Sequence, residues 1–267
     1  MTPRATRRLG QHFLESAWVD KLLTTIGPAR EDTFLEIGPG RGALTLPLAE
    51  RCAHITAVEI DPVLASALRT RAPDTVSVVT ADVLALDLAK LELRTPTRAV
   101  GNLPYNVATQ ILLKLLVYSA HGSRLSDALI MLQREVADRV TGVPGTRAWG
   151  PLAVATRLSA IPTRVMTLPS GAFRPMPTVQ SAVVRLEFRP APVSIGDRPL
   201  FDALVRELFT QRRKTALNAL RPFARRRSHL PVSEVFARAR VDASHRPGEL
   251  DLSELAELSA VLASAPL

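Results

Sequence analysis

Short apolar runs that alternate with helix-like stretches constrain this chain more than any other feature. The first run, Thr33–Ile37, leads directly into Gly-Pro-Gly and then into a helix-like stretch, ALTLPLAERC. Residues 54–60 (HITAVEI) read as a second strand. Asp61-Pro62 then opens another helix, because Asp is a favoured N-cap and Pro suits the first turn. Thr75–Thr80, Thr97–Gly101 and residues 128–132 (ALIML) add three more strands. Strands alternating with helices predict βαβ units, a parallel sheet and helices on both faces. Residues 161–167 and 181–188 are also strand-like, but a Pro-rich loop and no helix lies between them. They predict an antiparallel pair that closes the sheet. The expected class is α/β, mostly parallel with an antiparallel final strand, preceded by a helix over 16–27 with apolar Trp18, Leu22, Leu23 and Ile26 on one face.

The pattern changes after residue 188. RPAPVSIGDRP (189–199) carries three prolines and reads as a linker, and from Leu200 onward the chain is helical and basic. The expected organisation is a first domain over 1–190 and a small helical domain over 191–267. At 267 residues and 46% hydrophobic content the chain can bury a substantial core, which excludes a disordered protein. No uninterrupted apolar run reaches the ~20 residues of a membrane span. The basic N-terminus has no apolar segment behind it, so a secretory signal is not expected. The single Cys52 permits no internal disulfide and is expected to be a small buried residue in a reducing cytoplasm. No metal site is expected, since the histidines are scattered and flank no cysteine or carboxylate cluster.

The net charge of +9 points to a polyanionic partner, RNA or DNA. Enrichment in Arg from a GC-rich genome would give the same total. Clustering separates the two. Residues 206–227 hold Arg206, Arg212, Arg213, Lys214, Arg221, Arg225, Arg226 and Arg227 against one acid, Glu207, as a docking face would. Arg212, Arg213 and Lys214 are expected to fan out from one helical turn, with Leu208, Leu217 and Leu220 as its buried stripe.

The Gly-rich turn EIGPGRG (36–42) lets the backbone approach a ligand closely. Its G-x-G-x-G spacing departs from the dinucleotide fingerprint, which wants the third Gly one residue later. Glu59 ends the second strand, where a carboxylate can accept hydrogen bonds from ribose hydroxyls. Asp82 follows the third strand, beside Glu59 and within reach of an adenine amino group. The three positions together fit an adenosyl ligand without pyrophosphate, S-adenosylmethionine rather than NAD.

GNLPYN (101–106) follows the fourth strand. A plain turn would also use Asn and Pro. At the carboxyl end of a strand beside a ligand pocket, a chemical reading is stronger. The exocyclic amine of adenine is a poor nucleophile, because its lone pair delocalises into the ring. Two carbonyl oxygens that accept its hydrogens turn the lone pair outward. The Asn102 side chain is one such acceptor, and the backbone carbonyl of Leu103, held extended by Pro104, is another. Tyr105 offers a flat face for an extruded base.

In five stretches, LGQHFL, FLEIGPGRGALT, VGNLPYN, MLQREVADRV and FTQRRKTALNAL, the chain resembles the small-subunit ribosomal RNA adenine N6,N6-dimethyltransferases of the KsgA type. The resemblance implies a Rossmann-like class I methyltransferase sheet that binds S-adenosylmethionine. It implies contacts to that cofactor from His12, Leu14, Gly38, Gly40, Glu59, Ile60, Asp82, Val83 and Asn102, although many family members have Asn where this chain has His12. It implies catalysis by Asn102, Leu103 and Tyr105, with Phe173 packed on the target base; read from the residues alone, Phe173 is a loop aromatic that caps the core. Arg212, Arg213 and Lys214 would meet rRNA. The implied activity is dimethylation of two adjacent adenosines in the 3′-terminal hairpin of small-subunit rRNA, within a pre-30S particle, by a cytoplasmic monomer. The rival activities are single-adenine methylation of large-subunit rRNA, as in macrolide resistance, and a non-catalytic assembly role. With LGQHFL starting at residue 9, no transit peptide is expected.

Overall fold

A computed structural model of the protein describes residues 13–94, 96–120 and 125–266. The strands are β1 (Phe13–Leu14), β2 (Thr33–Ile37), β3 (His54–Glu59), β4 (Val76–Thr80), β5 (Thr97–Asn102), β6 (Leu125–Gln133), β7 (Ala160–Leu168), β8 (Phe173–Arg174) and β9 (Ser181–Phe188). The helices are α1 (Ser16–Ile26), α2 (Thr45–Ala49), α3 (Pro62–Arg71), α4 (Ala108–Ala120), α5 (Arg134–Thr141), α6 (Pro151–Ser159), α7 (Arg198–Thr210), α8 (Ala216–Arg225), α9 (Val232–Ala239) and α10 (Leu252–Ser264).

Seven strands form one sheet in the order β4-β3-β2-β5-β6-β9-β7. Strands β4 through β6 are parallel, and β9 runs antiparallel to both β6 and β7. The expected strand pair therefore closes the sheet, with β9 inserted between β6 and β7. Every residue of β2 is buried, as its largely apolar sequence leads one to expect, and Glu36 is buried with the rest. Asp61 caps α3 as expected, its side chain accepting from the Val63 and Leu64 amides. The stretch expected to be helical over 43–52 yields only the five-residue α2. Near the amino-terminal ends of the strands, Arg98 donates to Asp32, Asp127 and the carbonyl of Ile26, with N···O distances of 2.8 Å each. That half-buried cation is committed to structure.

The chain divides into two compact units, one of Met1–Asp138 with Ser159–Pro190 and one of Arg139–Leu158 with Ala191–Leu267. The continuous first domain expected over 1–190 is thus interrupted, and the cause is apolar. Trp149, Ala153, Val154 and Leu158 are buried with Phe201, Leu204, Leu220, Phe236 and Leu258 in the core of the second unit. The indole Nε1 of Trp149 donates to the Leu250 carbonyl at 2.8 Å. Trp149 is 1% exposed and part of that core.

Candidate functional site

The carboxyl ends of β2, β3 and β5, with the loop after β4, open onto one cleft. It is lined by Leu14, Glu36 to Gly40, Val58 to Ile60, Ala81 to Leu84, Asn102 to Val107 and Ile111. Carboxyl-end crevices of this kind are where open α/β sheets bind ligands. Of the residues named for cofactor and chemistry, Leu14, Gly38, Gly40, Glu59, Ile60, Asp82, Val83, Asn102, Leu103 and Tyr105 line this cleft. His12 lies outside the described residues.

Glu59 organises the centre. It is buried, and its two carboxylate oxygens accept from the backbone amides of Gly40 at 2.9 Å and Asp61 at 3.0 Å. The Gly40 amide can point there because the turn runs through left-handed backbone, with φ of 71° at Gly38 and 58° at Gly40. A carboxylate has about four acceptor sites, so capacity remains for a diol. Burial raises the Glu59 pKa, and the two amides work against that rise. Asp82 is exposed, and its side chain accepts from the Leu84 amide at 2.8 Å. Ile60 is 46% exposed and supplies an apolar face between the two acids. Acceptors for ribose hydroxyls and for an amine, with the apolar side chains of Ile60 and Val83 in the same lining, fit the adenosyl part of S-adenosylmethionine.

Sequence reasoning did not single out Glu36. It is 3% exposed, lines the cleft, and has an Oε2 with no close hydrogen-bond partner among the described residues. Burial pushes its pKa up to about 7, the nearby Thr45 hydroxyl lowers it, and the charge of Glu59 adds to the rise. The available signal was a glutamate inside the otherwise apolar strand TFLEI.

The NLPY loop is held rigidly. A Cβ on Gly101 would lie 2.9 Å from both the Ile37 carbonyl oxygen and Leu103 Cδ2, so only Gly lets β5 and β2 approach this closely here. The Leu103 side chain is buried. The Tyr105 hydroxyl shares a hydrogen bond of 2.5 Å with Ser181 Oγ at the start of β9, which fixes the ring at the cleft wall.

Phe173 departs from the stacking role that the resemblance implies. It is 0% exposed, pairs with Leu14 across β8 and β1, and belongs to the core that includes Leu22, Phe34, Val100 and Met131. A ring with no exposed face cannot stack on a base, so the core-capping role read from the residues alone describes it. The basic cluster needs a different correction. Gln211 to Lys214 form a turn between α7 and α8, so Arg212, Arg213 and Lys214 are not helical. Thr215 caps α8 and ends the turn. Arg212 donates to the Arg147 carbonyl at 3.0 Å and lies over the Phe209 ring. Arg213 and Lys214 are exposed, as are Arg206, Arg221, Arg225, Arg226 and Arg227. Cys52 is half-buried rather than buried, with its thiol pushed up to about 11 mainly by desolvation.

Residues 3–256 match the family model described as ribosomal RNA adenine dimethylase. The chain is 38% identical over 261 residues to the Ribosomal RNA small subunit methyltransferase A of Acinetobacter baylyi, covering 96% of this chain and 92% of the relative. It is 42% identical over 220 residues to the protein of the same name from Xanthomonas euvesicatoria, covering 81% and 83%. Among solved structures, a dimethyladenosine transferase from Plasmodium falciparum superposes with a TM-score of 0.79 at 21% identity, covering 92% of this chain and 96% of that one. The 23S rRNA methyltransferase ErmE superposes with a TM-score of 0.68 at 26% identity, covering 94% and 99%.

Proposed function

The chain belongs to the ribosomal RNA adenine dimethylase family, and we infer that it methylates N6 of two adjacent adenosines near the 3′ end of small-subunit rRNA, twice on each base. It is an S-adenosylmethionine-dependent methyltransferase with the class I sheet. One observation carries the reading of the site: Glu59, Asp82 and the NLPY loop converge on a single cleft. Relatives at 38% and 42% identity carry a small-subunit name, which favours that substrate over the large-subunit one of ErmE.

When bound, S-adenosylmethionine supplies the methyl group. Glu59 accepts hydrogen bonds from the ribose hydroxyls and Asp82 from the adenine amino group. Ile60 and Val83 pack on the adenine, and Leu14, Gly38 and Gly40 complete the wall. On the substrate side, Asn102 Oδ1 and the Leu103 carbonyl would accept hydrogen bonds from the N6 amine, which would turn its lone pair out of conjugation with the ring. Tyr105 stacks on the extruded base, its tilt fixed by Ser181. In this proposal the first unit binds cofactor and target base. The second unit docks rRNA phosphates through Arg213, Lys214 and their exposed neighbours, with Arg212 supporting the turn. Phosphate contacts position, while the pocket selects the base. The proposal includes action as a cytoplasmic monomer on rRNA of a partly assembled small subunit.

The test is Asn102→Ala. Loss of one preorganised acceptor should slow methyl transfer by about 10²–10³-fold, while cofactor affinity falls much less. Primer extension across the 3′-terminal hairpin should read through where wild type causes a stop, because dimethyladenosine blocks Watson–Crick pairing. Near-wild-type turnover removes Asn102 from the chemistry. A stop in large-subunit rRNA instead favours the ErmE-like activity.

A further inference from the structure

Lys114 sits in the middle of the apolar helix α4, in the run ILLKLLV, where a cation is out of keeping with the pattern. It is half-buried, and among the described residues it forms no ion pair with a carboxylate. Its Nζ donates to the backbone carbonyls of Leu84 at 2.8 Å and Leu86 at 2.5 Å. These carbonyls belong to the loop that follows β4. Inside that loop the Asp82 side chain accepts from the Leu84 amide, and the Asp82 carbonyl accepts from the amides of Ala85 at 3.1 Å and Leu86 at 2.9 Å. The loop therefore closes on Asp82 from within and is held by one ammonium from without. One turn earlier on the same helix, Ile111 lines the cleft with Val83 and Leu84. A single helix thus supplies both a wall of the pocket and the clamp on the segment beside it.

We propose that Lys114 is the positioning residue of the adenine subsite, pinning the 82–86 loop so that the Asp82 carboxylate and Val83 meet the adenine edge and face. The inference rests on the assignment of Asp82 as the acceptor for the adenine amino group. Hydrogen bonds from a charged donor are stronger than neutral ones, and an apolar residue at position 114 would leave two part-buried carbonyls without this partner. The loop would then sample other positions, and the cost would fall on cofactor binding. The methyl-transfer geometry at Asn102, on a different strand end, would be retained.

The experiment is a double-mutant cycle in the full-length protein, with S-adenosylmethionine binding measured by calorimetry for Lys114→Met, Asp82→Ala and both together. Residues acting as a unit give non-additive effects. Lys114→Met should weaken binding by about tenfold, and the double variant should bind within about twofold of Asp82→Ala. In steady state Lys114→Met should raise KM for the cofactor with little change in kcat. Lys114→Arg, which keeps donors for both carbonyls, should restore most of the affinity, and it also serves as the informative variant if Lys114→Met folds poorly. Additive losses, an unchanged affinity in Lys114→Met beside a weakened Asp82→Ala, or a Lys114→Arg protein as weak as Lys114→Met would overturn the inference and leave the Asp82 assignment standing. An Asp82→Ala protein with wild-type affinity would overturn the adenine subsite itself, and the inference with it.

Discussion

Replacing Glu36 with Gln tests the electrostatics of the cleft floor. The wild-type carboxyl is fully buried, and its pKa is pushed from an ordinary 4.5 to about 7. The folded protein therefore holds the Glu36 proton more tightly than the unfolded chain does. The stabilisation this provides is complete below pH about 4.5 and is lost as pH rises through about 7. A shift of this size, at about 1.36 kcal/mol per unit, amounts to about 3 kcal/mol. Glutamine has nearly the same shape and cannot ionise. Wild type and Glu36→Gln should have similar stability near pH 4.5, and the variant should be more stable by up to about 3 kcal/mol above pH 8. Trp18 lies on α1 in the first unit and Trp149 in the second, so denaturant unfolding followed by Trp18 fluorescence in a Trp149→Phe background reports on the first unit. The background is common to both proteins and cancels in the difference. A difference that stays flat across this pH range would refute the claim that the fold holds Glu36 protonated.

Three further outcomes are expected. Glu59→Gln should weaken S-adenosylmethionine binding by about 10- to 100-fold in calorimetry, since charge-assisted hydrogen bonds contribute ~1.5–3 kcal/mol; unchanged affinity would move the ribose site elsewhere. Arg213→Ala combined with Lys214→Ala should flatten the slope of log affinity for small subunits against log salt by about 0.7–0.9 per lost phosphate contact, with cofactor binding unaltered. A wild-type slope would shift docking to other members of the basic cluster. Trp149→Phe leaves the Leu250 carbonyl buried without its indole donor and should destabilise the second unit by about 1–3 kcal/mol, measured as a lower denaturation midpoint; an unchanged midpoint would show that the hydrogen bond contributes nothing.

Local chemistry was legible in the sequence, and partnership at a distance was not. The bounds of β2, the Asp61 cap and the order of ligand positions at strand ends follow from apolar runs, turn residues and capping. The burial of Phe173 depends on a two-residue pairing between β1 and β8, too short to leave a periodic signal. The allegiance of residues 139–158 depends on Trp149 and Leu158 meeting side chains from α7 to α10. The non-helical turn at Arg212 to Lys214 is set by the Thr215 cap, which helical spacing on either side conceals. Lys114 and Glu36 each place a charge inside an apolar element, a signal that sequence reasoning passes over because only the fold shows what each one faces.

The interrupted first unit has a consequence for synthesis from the N-terminus. Trp149 and the Leu250 carbonyl it binds are 101 residues apart in the chain. At about 5–20 residues per second, α6 waits on the order of 5–20 s after translation before the rest of its core exists. Through that interval the apolar side chains of Trp149, Ala153, Val154 and Leu158 have no permanent shelter. A polypeptide cut after Pro190 would keep this surface uncovered indefinitely. A single cut can therefore not release the first unit without residues 139–158 of the second, and those side chains wait for core partners as late in the chain as Leu258 and Leu262.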